Sequence, residues 1–382
     1  MPGIGGYMDQ QENNLNEKQD IKQQTENSQS YPSQGRDPRN NQEGIFPYSN
    51  YYQEQQGSYP PGQEPYGMNG YGYHNGENPL KPEELTKSIL NKAGFALFLM
   101  GVAVLAIQSI VGGAVGIWKP TLVESKWYVW ALTALSMIGV GLPVFYLASR
   151  RIPDSPKGEV VKLKPLHFIA IFFVCTAAMY ITNFFSVFIT FFIALLKGKN
   201  LLDLNPLTNV FANTNLVLAI LYASIAAPIV EELIFRKLLL NKLRRYGDIP
   251  AILLSAFAFG FFHMNISQFF YATALGIIFA YVTIRTNTLR YSILLHVMIN
   301  FIGTAITPLA TSGSMISSLI IVVWVFSAII AGVIIFALNI RKVRLYSVGR
   351  PLQRKSEYFW NTGTILYVLL CLIMIITQIV VL

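Results

Sequence analysis

Glu231, Glu232, Arg236, His263 and His296 stand inside apolar runs of the chain. At such places a charged side chain costs roughly 2.5–3.5 kcal/mol on membrane-insertion scales. With Asn300, they form a set of two carboxylates, a guanidinium, two imidazoles and a carboxamide. Such a set suits hydrolysis of an amide bond, which needs a base for water, donors for an oxyanion and a place without bulk solvent. The same groups could bind a metal. The carboxylates alone would suit proton carriers in a transporter, and polar pairs can simply hold helices together.

Spacing narrows these options. Glu232 precedes Arg236 by four residues, in the helical orientation that favours an ion pair. Glu231 is turned from Glu232 by about 100° on a helix and does not share that partner. The stretch RRYGDIP then offers Gly247 as a helix stop, Asp248 as a cap and Pro250 as a new helix start. A hairpin folded at Gly247 sets Glu231 and His263 at one depth, because each lies about 16 residues from the turn, some 20–24 Å along its helix. His296 and Asn300, four apart in HVMIN, share one helix face. Measured from a turn near Asn287 they lie about 13 and 20 Å along, so tilt must close the remaining difference.

These residues need spanning helices to hold them. The chain has 382 residues, 53% hydrophobic and 13% charged, the profile of an all-α, polytopic membrane bundle. Apolar segments long enough to cross a bilayer, or nearly so, number about nine: 93–118, 127–148, 168–196, 216–240, 250–264, 267–284, 291–307, 316–340 and 365–382. The fifth is short, and the third is long enough to require tilt or bending. From residue 81 onward there are 25 Lys and Arg; counting Arg236 and Lys237, near the end of the fourth span, with the loop that follows it, 21 fall in the odd-numbered segments and 4 in the even-numbered ones. The positive-inside rule then places the N-terminus in the cytoplasm and Leu382 outside, as expected for an integral protein of the cell membrane. Cys175 and Cys371 both fall in apolar runs and read as small buried hydrophobes.

Residues 1–80 are a different material. They carry 10 acidic and 4 basic side chains and are rich in Gln, Asn, Gly, Pro, Ser and Tyr. With few aliphatics to offset ordering entropy, they read as a disordered cytoplasmic tail, whose tyrosines suit weak contacts to a protein partner. No secretory signal opens them. The membrane domain is then 81–382, and the chemistry-bearing core about 215–305.

At that core the sequence resembles the CPBP intramembrane proteases, the CAAX protease and bacteriocin-processing (Abi) family that includes the type II CAAX prenyl endopeptidases. The family pattern EExxxR, FxxxH and HxxxN stands here as EELIFR (Glu231 to Arg236), FGFFH (Phe259 to His263) and HVMIN (His296 to Asn300). The resemblance implies a helical fold with a polar cavity open to the cytoplasm. It implies Glu231 as the general base assisted by His263, His296 and Asn300 as oxyanion holders, and Glu232, Arg236 and Phe259 in support. Membrane lipid and a membrane-associated protein or peptide are the implied partners, with no nucleic acid. Eukaryotic members cut prenylated proteins, whereas many bacterial relatives serve in bacteriocin immunity, surface display or peptide processing.

Members of this family have been described both as metalloproteases and as glutamate-dependent proteases. If zinc is used, Glu231, His263 and His296 would form a two-His, one-carboxylate site with water in the fourth position. However, no HExxH pairs two histidines on one helix, and a ligating Glu231 would leave the reaction needing another base. The expectation is therefore no cofactor, with Zn2+ as the alternative.

The charge partition predicts that a reporter fused after Leu382 is exported, while one placed in the 341–363 loop stays cytoplasmic. Both reporters on one side would remove the ninth span.

Overall fold

The computed structural model describes residues 82–155, 158–199, 215–311, 314–346 and 359–381. The expected tail, residues 1–80, lies outside them. Among the described residues there is no strand. Nine principal helices occur there in order: α1 (Pro82–Trp118), α2 (Tyr128–Ser149), α3 (Pro165–Lys197), α4 (Leu216–Tyr246), α5 (Asp248–Phe262), α6 (Ile266–Thr286), α7 (Arg290–Thr311), α8 (Met315–Asn339) and α9 (Thr362–Val381). Each expected span coincides with one of them. Seven helices are long and apolar enough to cross a membrane, the architecture of an integral membrane protein. The remaining two, α5 and α7, carry His263 at the end of one and His296 with Asn300 in the other. Both cysteines are buried and free, as expected.

Helix α5 has only 15 residues, or roughly 22 Å at 1.5 Å per residue, short of a bilayer core of about 30 Å. It packs against α6, the second half of α4, and α9. This short helix ends at His263, so a start at the membrane surface would leave the histidine and an irregular turn within the bilayer core. Such backbone is tolerated there only when protein groups satisfy it.

Two local choices in α4 prepare the site. Asn215 caps its start, its side-chain oxygen accepting from the Val217 and Leu218 N–H groups at 3.0 and 3.3 Å. Two π-helical stretches, Ile220–Ala226 and Leu233–Leu240, then flank the pair of glutamates. Such bulges admit an extra residue per turn and rotate the helix face beyond them. Pro228, placed between them, has no N–H; with the Ala227 N–H bonded five residues back to Tyr222 O, the next carbonyl, Ala223 O, has no Pro228 N–H to accept from. It accepts instead from Asn300.

The hairpin at Gly247 forms as expected, with Gly247 itself at φ 97°, a backbone that glycine adopts readily. Phe235 and Phe259, each twelve residues from it, meet edge to face at 5.2 Å. Ser255 adds a hydrogen bond to Phe235 O at 3.0 Å. Asp248, however, is not the cap. It is fully buried and pairs with Arg285, while its carboxylate accepts from the Tyr346 N–H at 3.0 Å. A buried carboxylate needs a charged partner more than a helix end needs a cap. Gly247 takes the cap position with no side-chain bond.

Helices α5 and α6 approach closely at Gly260. A methyl group there would stand 2.0 Å from Thr273 Oγ1 and 3.0 Å from Phe269 O, whereas one at Gly113 would meet nothing within 4 Å. Gly260→Ala should therefore destabilise the protein by about 1–3 kcal/mol, and Gly113→Ala should not destabilise it. Thermal unfolding in detergent checks the contrast; equal effects would contradict this packing.

Candidate active site

Glu232 and Arg236 meet as their spacing requires, Arg236 Nη1 lying 3.2 Å from Glu232 Oε1, with both side chains fully buried. Arg236 is held further by its Nη2 donating to Gly276 O at 3.4 Å. Its guanidinium lies over the rings of Phe259 at 4.4 Å and Phe279 at 5.6 Å, contacts that favour a desolvated cation. Phe259 touches three site residues at once. Besides Arg236, it meets the His263 ring at 5.0 Å and the His296 ring at 5.5 Å, both edge to face.

His296 on α7 stands between the two carboxylates. Its Nδ1 lies 3.1 Å from Glu232 Oε1 and its Nε2 lies 3.5 Å from Glu231 Oε2. It reaches them although it sits nearer its own turn, so the tilt required by the sequence geometry is present. The contacts Glu232–His296, Ala223–Asn300 and Ser224–Thr304 run in opposite directions along α4 and α7. The two helices are antiparallel, as alternating spans demand.

Glu231 is set apart from Glu232. Its side chain is 13% exposed, and Oε2 is buried without a hydrogen bond. The helix rotation that denies it Arg236 leaves it facing His296 Nε2. His263, at the C-terminal end of α5, directs Nδ1 at Phe259 O, 2.9 Å away. A carbonyl only accepts, so Nδ1 carries the proton and Nε2 of the neutral ring remains an acceptor. The charge on Glu231 acts on His263, and also on Tyr222 and Tyr271. Asn300 donates one amide hydrogen to Ala223 O at 2.9 Å, leaving its second one to donate elsewhere.

The structure thus brings Glu231, Glu232, Arg236, His263, His296 and Phe259 into one cluster, with Asn300 one turn beyond His296 on α7. It adds residues that the motifs did not mark. Phe279 stacks at 5.0 Å on His296. Ser292, one turn before His296, lies within electrostatic reach of Glu232 while its hydroxyl donates to Leu289 O at 3.1 Å. Tyr222 and Tyr271 lie within electrostatic reach of Glu231. Among the described residues, no three His, Cys, Asp or Glu side chains come together as a metal-ligand set. Glu231, His263 and His296 as placed here do not make one.

Known proteins share this part of the chain. Residues 213–302 match the family model described as "Type II CAAX prenyl endopeptidase Rce1-like". The likeness to that family is confined to this segment. The matched range contains all three motifs and nearly coincides with the core expected at 215–305. Over 84 residues the chain is 36% identical to a protein of Bacillus subtilis (strain 168) named "Putative membrane peptidase YdiL". That alignment covers 22% of this chain and 34% of the relative, so the chain spans about a third of the length of the curated relative it matches. No solved structure matches.

The two glutamates should separate by stability. Glu232→Gln removes the partner of a buried arginine, and breaking such a pair by one member is worth about 3–5 kcal/mol. Glu231→Gln removes a carboxylate whose near partner is His296 Nε2 at 3.5 Å, strands no buried guanidinium, and should leave thermal unfolding nearly unchanged. Equal shifts in unfolding temperature for the two variants would contradict this division.

Proposed function

We propose that this protein is an intramembrane endopeptidase that hydrolyses a peptide bond of a membrane-associated protein or peptide, with Glu231 activating the water. The observation that carries this reading is the contrast between the two glutamates. Glu232 is fully buried and committed through Oε1 to both Arg236 and His296, whereas Glu231 is left out of the Arg236 pair, is 13% exposed and faces His296 Nε2 at 3.5 Å. The likeness of residues 213–302 to type II CAAX prenyl endopeptidases supports the same reaction class.

In this mechanism Glu231 takes a proton from water, and His263 Nε2 accepts a hydrogen bond that orients the same water. The hydroxide forms a bond to the substrate carbonyl carbon. The oxyanion is met by the second Asn300 N–H and, as an imidazolium whose Nδ1–H serves Glu232, by His296 Nε2–H. The proton held by Glu231 passes to the departing amine as the C–N bond breaks, which restores the carboxylate and releases two peptides. Low dielectric around the cluster strengthens each of these interactions. The chain's own residues supply every step, and none is routed through a metal.

The odd-numbered loops that carry the basic excess face the cytoplasm in this reading. The site lies between them and the far leaflet, and a bilayer-embedded substrate enters laterally. Cavity shape, more than the motifs, governs whether that substrate is prenylated.

Incubating purified full-length protein with a membrane peptide library should generate new termini, read by mass spectrometry. Glu231→Gln should generate none, and exhaustive chelation should leave the wild-type rate unchanged. Asn300→Ala should raise the barrier by about 2.7–4 kcal/mol, the usual loss of one oxyanion donor, with substrate binding little altered. Zinc near one per chain, lost together with activity and restored on re-addition, would overturn the metal-free mechanism. Absence of any cleavage would favour a transporter or a non-catalytic immunity protein.

A further inference from the structure

Where α4 crosses α7, two turns from His296, a pair of hydroxyls meets that belongs to none of the three motifs. Ser224 and Thr304 are both buried, and their side-chain oxygens lie 2.8 Å apart. Next to them, Asn300 donates through Nδ2 to Ala223 O at 2.9 Å.

The directions of these bonds follow from what each atom can do. Thr304 Oγ1 lies 2.9 Å from Asn300 O, which only accepts, so the single Thr304 hydroxyl proton goes there. Ser224 then supplies the proton between the two hydroxyls, and the Thr304 oxygen accepts it. Ala223 O also only accepts, which turns the NH2 group of Asn300 toward α4. Ala223 and Ser224 are consecutive and lie in the π-helical stretch Ile220–Ala226. The bonds therefore close a loop across the two helices. It runs from Ala223 O to the Asn300 amide, along Asn300 to its own carbonyl, through the Thr304 and Ser224 hydroxyls, and back by one peptide bond. Asn300 is held at both ends.

We infer that Ser224 and Thr304 are positioning residues for Asn300: their hydroxyls lock α7 against α4 so that the second Nδ2–H stays aimed at the substrate oxyanion. The inference rests on the reading of Asn300 as an oxyanion donor. Such a donor must stand within about 2.7–3.1 Å of the oxyanion, and a displacement of about 1 Å can cost on the order of a hundredfold in rate. Without the Ser224 hydroxyl, Thr304 keeps its bond within α7, but the turn after Asn300 loses this tie to α4. Neither hydroxyl touches the reacting atoms, so both act through Asn300.

The test uses full-length protein and a peptide that the wild type cleaves. Ser224→Ala and Thr304→Val should each lower kcat at least tenfold with KM unchanged. Thr304→Ser, which keeps the hydroxyl, should retain the wild-type kcat. In an Asn300→Ala background, Ser224→Ala should lower kcat no further, because the two residues act as one unit. Wild-type kcat in both Ser224→Ala and Thr304→Val would overturn the inference. So would an equal fold loss with and without the Asn300 side chain, the mark of a purely structural contact. Asn300→Ala by itself separates the failures: if it is slow beside fully active Ser224→Ala and Thr304→Val, only the inference falls, whereas a fully active Asn300→Ala sinks the reading beneath it. Nuclear magnetic resonance of 15N-asparagine-labelled protein gives a readout that needs no turnover. The side-chain NH2 signals absent from Asn300→Ala should shift in Ser224→Ala and stand near their wild-type positions in Thr304→Ser. Signals unmoved in Ser224→Ala overturn the inference whatever the cleavage assay gives.

Discussion

The buried pair between Glu232 and Arg236 is the constraint on which the site depends. Two opposite charges with no solvent exposure hold together only if protein closes around them. Four helices supply that enclosure. Besides the pair itself on α4, α5 brings the Phe259 ring, α6 brings Gly276 O and the Phe279 ring, and α7 brings His296. A buried ion pair adds little net stability compared with apolar residues of equal volume, but it specifies register. Here a slip of any of the four helices would strand a charge in the membrane interior.

That register produces the functional asymmetry. Adjacent glutamates on a helix point about 100° apart, so the pair with Arg236 can absorb only one of them. His296 is anchored through Nδ1 to the neutralised glutamate and turns Nε2 toward the other. The carboxylate paired with Arg236 thus orients the imidazole that faces the one we propose as the base. The π-helical stretches on either side of the glutamates and the missing N–H of Pro228 then place Asn300 against α4. Packing, helix irregularity and chemistry converge on the same two turns of α4.

Much of this arrangement was legible in the chain. All nine apolar segments became helices, because their length and hydropathy leave few alternatives in a bilayer. The pairing of Glu232 with Arg236 followed from helical spacing alone, and the hairpin depth from counting outward from Gly247. Other features depend on tertiary context and left weaker marks. Asp248 reads as a cap until Arg285, 37 positions later, claims it. Beside the first π-helical stretch, Ala223 O accepts from Asn300 on α7, a donor that no local window contains. Phe279, Tyr222 and Tyr271 are ordinary aromatics in apolar helices, and only folding sets them beside charged groups.

The central claim is that Glu231 activates water and does not itself attack the substrate. A single turnover of unlabelled peptide by the unlabelled enzyme in 18O-labelled water tests it most directly, with products and the Glu231-containing fragment both read by mass spectrometry. The account predicts one labelled oxygen in the new peptide carboxylate and no label on Glu231. Unlabelled product in the first turnover, with the label found in the enzyme's glutamate, would contradict it.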